Sequence, residues 1–401
     1  MRTTSARYAG SARYGGPVAL GIAMLTITGQ AGPSAQPHRD PAIRIGDRDL
    51  GGVVTSANGR EAGVYWGDER IWDSQTSLHN PMRDETGRVW FTSRVGPSDN
   101  PAFCKKGSDH PSAMRFPLDQ STRHLARYDP KTGTFTLIRT CFPTHHLQFG
   151  FDANQTLWTS AGGPQAGVVG WLNRKRFEET GDEATSRGWT ALILDTNGNG
   201  RRDDYVEPDQ PVDLTKDKRI NAAFYGIAPS PVDGSVWGSV LGFPGAIVRL
   251  NPGSAPPATA LAEIYEPPWP GYSPRGMDVD RRGVVWAPLA SGHLASFDRR
   301  KCVGPLNGPT ATGPHCPEGW TLYPFPGPQF KSVTDPGSAE ASYYSFFAKG
   351  LDGRIDDPNA GWKGRGVWTT FGNRTPFHLE GGKGTTPKVV KFQVRPDPLA
   401  R

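Results

Sequence analysis

The sequence predicts an all-β protein assembled from repeated sheets, and three observations predict it. The 401 residues include 50 Gly and 38 Pro, a composition rich in turn formers and poor in helix formers. A short unit recurs five times: an apolar strand, an Asp, a Gly turn, and a second strand carrying a Trp. A helical pattern is plausible at one place only, the polar and charged stretch 173–187, which reads as a surface excursion.

The copies run in chain order. The first is Asn80 to Thr92, with Asp84, Gly87 and Trp90. The second is Phe149 to Thr159, with Asp152 and Trp158. The third leads from Tyr225 through Asp233 and Gly234 to Trp237. The fourth is Arg275 to Trp286, with Asp280 and Gly283, and an interrupted fifth runs from Phe347 to Trp368. Asp and Gly favour a tight turn between two strands. Alternation along each strand buries one face, and the Trp is placed to pack between neighbouring sheets. A further strand follows several copies, at His124–Asp129, Ala246–Asn251 and His293–Asp298, and reads as the next strand pair of the same sheet. Such a sheet cannot bury both faces alone. Stacking around an axis solves this and removes the edges, so the expected fold is a β-propeller of six or seven four-stranded blades. Coincidental Gly-Trp spacing in some other sandwich is the alternative. The Trp anchors are unevenly spaced, so the longer intervals hold either a degenerate blade or long loops.

The N-terminus has the three parts of an export signal. Arg2, Arg7 and Arg13 precede the apolar run Pro17–Thr28, and small residues surround a cut after Ala31. The run is too short to span a bilayer, and no later segment is apolar enough. The expected organisation is a signal peptide at 1–31, a linker and hairpin remnant at 32–63, and a propeller at 64–401. Without those three Arg the formal charge of +6 falls by half, and no basic stripe remains to bind nucleic acid. Four cysteines in an exported chain are expected to pair as Cys104–Cys141 and Cys302–Cys316. A zinc site is the weaker rival, because no CxxC pair exists. The expected location is the periplasm or the exterior, for a monomer with no membrane span.

Residues 48–63, with Gly51-Gly52-Val53-Val54-Thr55, resemble the opening strands of a carboxypeptidase regulatory-like domain. The Gly87–Thr92 repeat and its Gly-Ile and Asp-Gly companions resemble the virginiamycin B lyase (streptogramin lyase) propeller family, from about Val64 to Arg401. More closely, the chain looks like a shortened member of bacterial proteins that join the two. Tyr343 to Phe347 looks like a junction where part of that pattern is missing, which would leave the ring incomplete. The resemblance implies a seven-bladed ring and a magnesium-assisted β-elimination that opens a cyclic depsipeptide. It also implies a His eleven residues before a blade Trp, with a His or Glu three residues after one. His79 fills the first slot before Trp90, but Ser93 stands in the second. The corresponding pairs are Leu147 and Ala161 (with His146 one residue off), Gly226 and Val240, and Arg275 and Leu289, so none of these blades carries the carboxylate.

The starts of inner strands gather at one mouth of a propeller channel, where ligands bind. His79, His146, Tyr225 and Arg275 are therefore the candidate catalytic residues, with His145 and Lys349 as further candidates. Two imidazoles there could hold a divalent metal, or one could act as a general base. Hydrogen bonding to blade turns is the structural alternative. Strand alternation predicts that only one of His145 and His146 enters the funnel.

Asp195-Thr196-Asn197-Gly198-Asn199-Gly200-Arg201-Arg202-Asp203 places oxygen ligands at alternating positions around a Gly turn, as a calcium loop does. The expected ligands of a structural Ca2+ are Asp195, Asn197, Asn199, Asp203 and Glu207, although position twelve itself is Val206. An Asx-turn hairpin without metal is the alternative. No Gly-x-Ser-x-Gly elbow, phosphate loop or dinucleotide fingerprint is present. Two functions remain: a metal-assisted lyase or hydrolase acting on a small molecule, or a non-catalytic propeller that binds a small ligand or a partner protein.

Overall fold

The repeated Asp unit folds as a hairpin whose turn the aspartate holds. In the computed structural model, Asp84 Oδ1 accepts from the N–H and hydroxyl of Thr86 and from Arg88 N–H, at 2.7–3.0 Å. Its other oxygen accepts the Trp90 indole N–H at 2.9 Å. Gly87 takes φ +93°, a region costly to residues with a Cβ. Asp280 repeats the pattern with Arg282 N–H, Val284 N–H and the Trp286 indole. Asp152 holds the second turn through Asn154 and Thr156, with Gln155 at φ +49° in the glycine position. One carboxylate thus sets the turn and, in two copies, also orients the indole that follows it.

The structure describes residues 78–93, 98–121, 123–160 and 167–325. It also gives the strand pairing of Val64–Trp66, Glu69–Trp72, Ser345–Lys349, Val367–Phe371 and Lys388–Phe392. The expected signal segment, the hairpin remnant and the Lys349 side chain lie outside the described residues.

Four antiparallel sheets of four strands follow one another along the chain, each paired in sequence order. The first is His79–Arg83, Val89–Ser93, His124–Asp129 and Thr134–Ile138. The second is Leu147–Phe149, Leu157–Ser160, Val168–Leu172 and Arg187–Ala191. The third is Phe224–Pro229, Val236–Val240, Ala246–Asn251 and Leu261–Tyr265. It is extended where Leu194 pairs in parallel with Ala262, which adds Ile193–Leu194, Asp217–Arg219 and Tyr205–Val206. The fourth is Asp278–Val279, Val285–Leu289, His293–Phe297 and Trp320–Pro324. Ser345–Lys349 and Val367–Phe371, the strands of the interrupted copy, pair antiparallel and continue to Lys388–Phe392.

The Trp residues join sheet to sheet. Trp90 packs with Leu147, Leu157 and Leu172 of the second sheet. Trp158 packs with Phe224, Ile227 and Val248 of the third, and Trp237 with Met277, Val285 and Phe297 of the fourth. An aromatic side chain buries roughly 150–250 Å², on the order of 4–6 kcal/mol of transfer free energy. This outweighs the roughly 1 kcal/mol net of each turn hydrogen bond. The first strands of the four sheets lie side by side in chain order. Gly226 permits this closeness: a Cβ there would lie 3.2 Å from both the Arg275 carbonyl oxygen and Gly276 Cα.

Among the described residues the long intervals between Trp anchors hold loops and the short strands that extend the third sheet, not a further four-stranded sheet. Both expected disulfides form: Cys302–Cys316 closes a loop, and Cys104–Cys141 ties the segments on either side of the last two strands of the first sheet. The helical stretch forms as Arg174–Thr180 and Glu183–Ser186, capped by Asn173 and Asp182. It lies at the surface, with Lys175, Arg176, Glu179 and Thr180 exposed, but two of its side chains turn inward. Arg174 is 2% exposed and pairs with Glu85, with Glu178 at 3.1 Å and with Asp84 at 3.7 Å. Phe177 joins the Trp90 cluster. Its polar neighbours concealed these two inward-facing residues.

Candidate functional site

Residues at or just before the beginnings of the four first strands meet. His79 opens the first strand of its sheet, His145 and His146 immediately precede Leu147, Tyr225 lies at the start of Phe224–Pro229, and Arg275 lies just before Asp278. His79 Nε2 is 3.2 Å from His146 Nε2. The His79 and His145 rings stack at 4.8 Å and 13°, and those of His145 and His146 lie 4.1 Å apart. One ligand atom from each of the three imidazoles can be chosen so that all lie within 4.8 Å of one another. The Tyr225 ring is 4.7 Å from His146 and 5.1 Å from His145, and the Arg275 guanidinium carbon is 4.9 Å over Tyr225. His79, His146, Tyr225 and Arg275 are thus brought together.

His145 corrects the alternation argument, because both histidines of the pair face His79. The pleated strand starts only at Leu147, so residues 145 and 146 are not bound to opposite faces. Their backbone is fixed from two sides. Thr92 Oγ1 lies 2.6 Å from the His145 carbonyl and 3.1 Å from that of His79, tying the first sheet to the second. Ser160 Oγ accepts His146 N–H at 2.8 Å. Sequence reasoning missed Thr92 and Ser160, although each lies two residues after its blade Trp and so on the same strand face as that Trp.

The tautomer of His146 follows from its partner. His146 Nδ1 meets the Tyr225 carbonyl, which can only accept, so Nδ1 carries the proton. In the neutral ring, Nε2 then presents its lone pair toward His79. Burial, followed by the Arg123 charge, lowers the His79 pKa. Burial lowers His145 to about 4, with His79 and Arg123 adding, the Tyr225 carbonyl opposing and Arg275 adding less. Both rings are therefore neutral at neutral pH, the form that donates a lone pair to a metal. The cationic surroundings also favour a ligand that carries or develops negative charge.

The Asp195 loop stands apart from this cluster. Asp195 Oδ1 accepts from the N–H groups of Gly198 and Asn199, and Oδ2 from Gly200 N–H and Asn307 Nδ2, at 2.7–3.1 Å. The Asn197 and Asn199 amides donate to Asp203 Oδ2 at 3.0 and 2.5 Å. Glu207, expected to close the loop, instead pairs with Arg219 Nε at 2.8 Å. In its place stands Asp217, whose Oδ2 accepts Asp203 N–H at 2.7 Å. Burial pushes the Asp217 carboxyl up to about 6; the Asp203 hydrogen bond opposes this, and the Asp195 and Asp203 charges add to it. Asp217 had no local sequence signal, because it is brought to the loop by the pairing of Tyr205–Val206 with Asp217–Arg219.

No family model matches the chain, and no curated protein matches it. Among solved structures, it is similar to virginiamycin B lyase from Staphylococcus aureus at 12% identity and TM-score 0.38, over 81% of this chain and 72% of that one. It is similar to PorZ, a surface component of the type-IX secretion system of Porphyromonas gingivalis, at 14% identity and TM-score 0.38, over 85% of this chain and 34% of that one. It is also similar to regucalcin, a calcium-binding protein from Agrobacterium tumefaciens, at 12% identity and TM-score 0.28, over 81% of this chain and 93% of that one. At these values the description of the fold rests on the chain's own strand pairing.

Proposed function

We propose that the chain is an exported propeller enzyme, a metal-assisted hydrolase or lyase whose centre is His79, His145 and His146. The sheets are read as blades of a six- or seven-bladed ring, with their first strands around the axis and the histidines in its central funnel. Side-by-side first strands support the ring, and two disulfides support an oxidising compartment. The observation that carries the chemistry is the convergence of three imidazoles with ligand atoms within 4.8 Å. Three imidazoles with an open fourth position are a known catalytic arrangement for zinc. An ion held this way polarises a carbonyl or acidifies a water.

The remaining groups have distinct tasks in this reading. His146 is oriented by the Tyr225 carbonyl and by Ser160, so its Nε2 is the ligand atom. Arg275, held over the Tyr225 ring, offers a fixed cation to an oxyanion or acidic group of a small substrate. Calcium at the Asp195 loop would be structural and has no part in this chemistry. The test is a screen of small esters, lactones and cyclic peptides on the full chain, with and without a chelator of transition metals. Turnover that is abolished by chelation and restored by zinc supports the reading. Turnover indifferent to chelation and to His79→Ala contradicts it.

A further inference from the structure

We propose that Asp217 closes the Asp195–Asp203 loop as a calcium site, in place of an acid at the loop's own twelfth position. The loop supplies oxygen donors at the spacing such a site uses. Asp195, Asn197, Asn199 and Asp203 take positions one, three, five and nine, and the Arg201 carbonyl takes position seven. Gly200 stands at position six with φ +74°, where the sharp turn falls. Position twelve is Val206, so the loop lacks its closing carboxylate.

Asp217 supplies one from another segment. It is fully buried, and its Oδ1 has no hydrogen-bond partner. Its Oδ2 is fixed on Asp203 N–H, so the unpartnered oxygen sits against the loop. The charges of Asp195 and Asp203 both bear on it. Arg202, a cation that also acts there, turns its guanidinium to Thr190 Oγ1 at 2.6 Å and the Ala260 carbonyl at 3.4 Å. Three carboxylates in one corner, one with an unpaired buried oxygen, require a counter-charge. A hard cation that takes six to eight oxygens suits them. The Asn197 and Asn199 amides meet on Asp203 Oδ2, while their oxygens accept the Asn199 and Arg201 N–H groups, so the loop already folds around its side-chain oxygens.

The site would also join two parts of the fold. Asp195 accepts from Asn307 Nδ2 and, through its carbonyl, from Gly308 N–H, both at 2.7 Å. Both partners lie in the loop closed by Cys302–Cys316. An ion at Asp195 and Asp217 would therefore pin that loop to the extension of the third sheet.

The experiment is calcium titration and thermal melting of the full chain, in calcium and in chelator, for wild type, Asp217→Asn and His79→Ala/His146→Ala. Asn at 217 keeps an acceptor for Asp203 N–H and removes a buried charge. Wild type and the histidine variant should bind calcium and melt higher with it. Asp217→Asn should melt no lower than wild type in chelator, yet bind calcium at least about 10-fold more weakly and lose the calcium increment. Two results overturn the proposal: wild type melting equally in calcium and chelator, or Asp217→Asn keeping the full calcium increment.

Discussion

His79 and His146 come from adjacent sheets and meet nitrogen to nitrogen at 3.2 Å. Because the Tyr225 carbonyl holds the His146 proton on Nδ1, only one Nε2 can be a donor in this contact. The pair either shares the His79 proton or jointly holds a cation. The stacked His145 ring makes the second arrangement a three-ligand one.

Ser160 fixes the His146 backbone and lies 3.2 Å from the Tyr225 carbonyl that sets the tautomer. Ser160→Ala should leave the fold intact and weaken transition-metal affinity by about 10-fold, the low end for an outer-shell partner. Competition with a chromophoric chelator measures it. An unchanged affinity would mean that Ser160 does not position the ligand.

Gly226 lets the first strand of the third sheet pass close to the backbone at Arg275 and Gly276. Gly226→Ala should cost about 1–3 kcal/mol of stability by overpacking. It should also displace Arg275 relative to Tyr225, so that turnover falls more than the folded fraction does. Chemical denaturation alongside rate measurement separates the two effects. Parallel losses would make Gly226 purely structural.

Asp84 ties together a turn, an indole and the buried Arg174. Burial would raise its carboxyl, but the hydrogen bonds from Trp90, Thr86 and Arg88 together hold it below the usual carboxylate range. A depressed folded value stabilises the fold above the unfolded pKa of about 4, and this stability disappears as pH falls through the folded value. Asp84→Asn should therefore cost about 1.5–3 kcal/mol at pH 7, the scale of hydrogen bonds to a charged group, because Glu85 and Glu178 still compensate Arg174. The gap to wild type should narrow only below about pH 4. A gap that is constant down to acid unfolding would show that the carboxylate charge is not what matters.

The parts of this structure legible in the sequence are those whose cause is local. Asp84, Gly87 and Trp90 contain a turn, its capping carboxylate and the buried indole within seven residues, so the hairpin could be read directly. His79 and Arg275 were legible because each stands eleven residues before a Trp. His145 was misread because alternation was applied to residues that precede the pleated strand. Arg174 was hidden among charged neighbours, although its target is a buried turn 90 residues earlier in the chain. Asp217 could not be read at all, since only strand pairing brings it to Asp203.

Metal analysis of the purified full chain and its single His→Ala variants shows whether His79, His145 and His146 hold one divalent ion. Wild type should carry a stoichiometric transition metal, lost in each variant while bound calcium stays. A folded wild type that carries no such metal and takes up none on titration with zinc would contradict it.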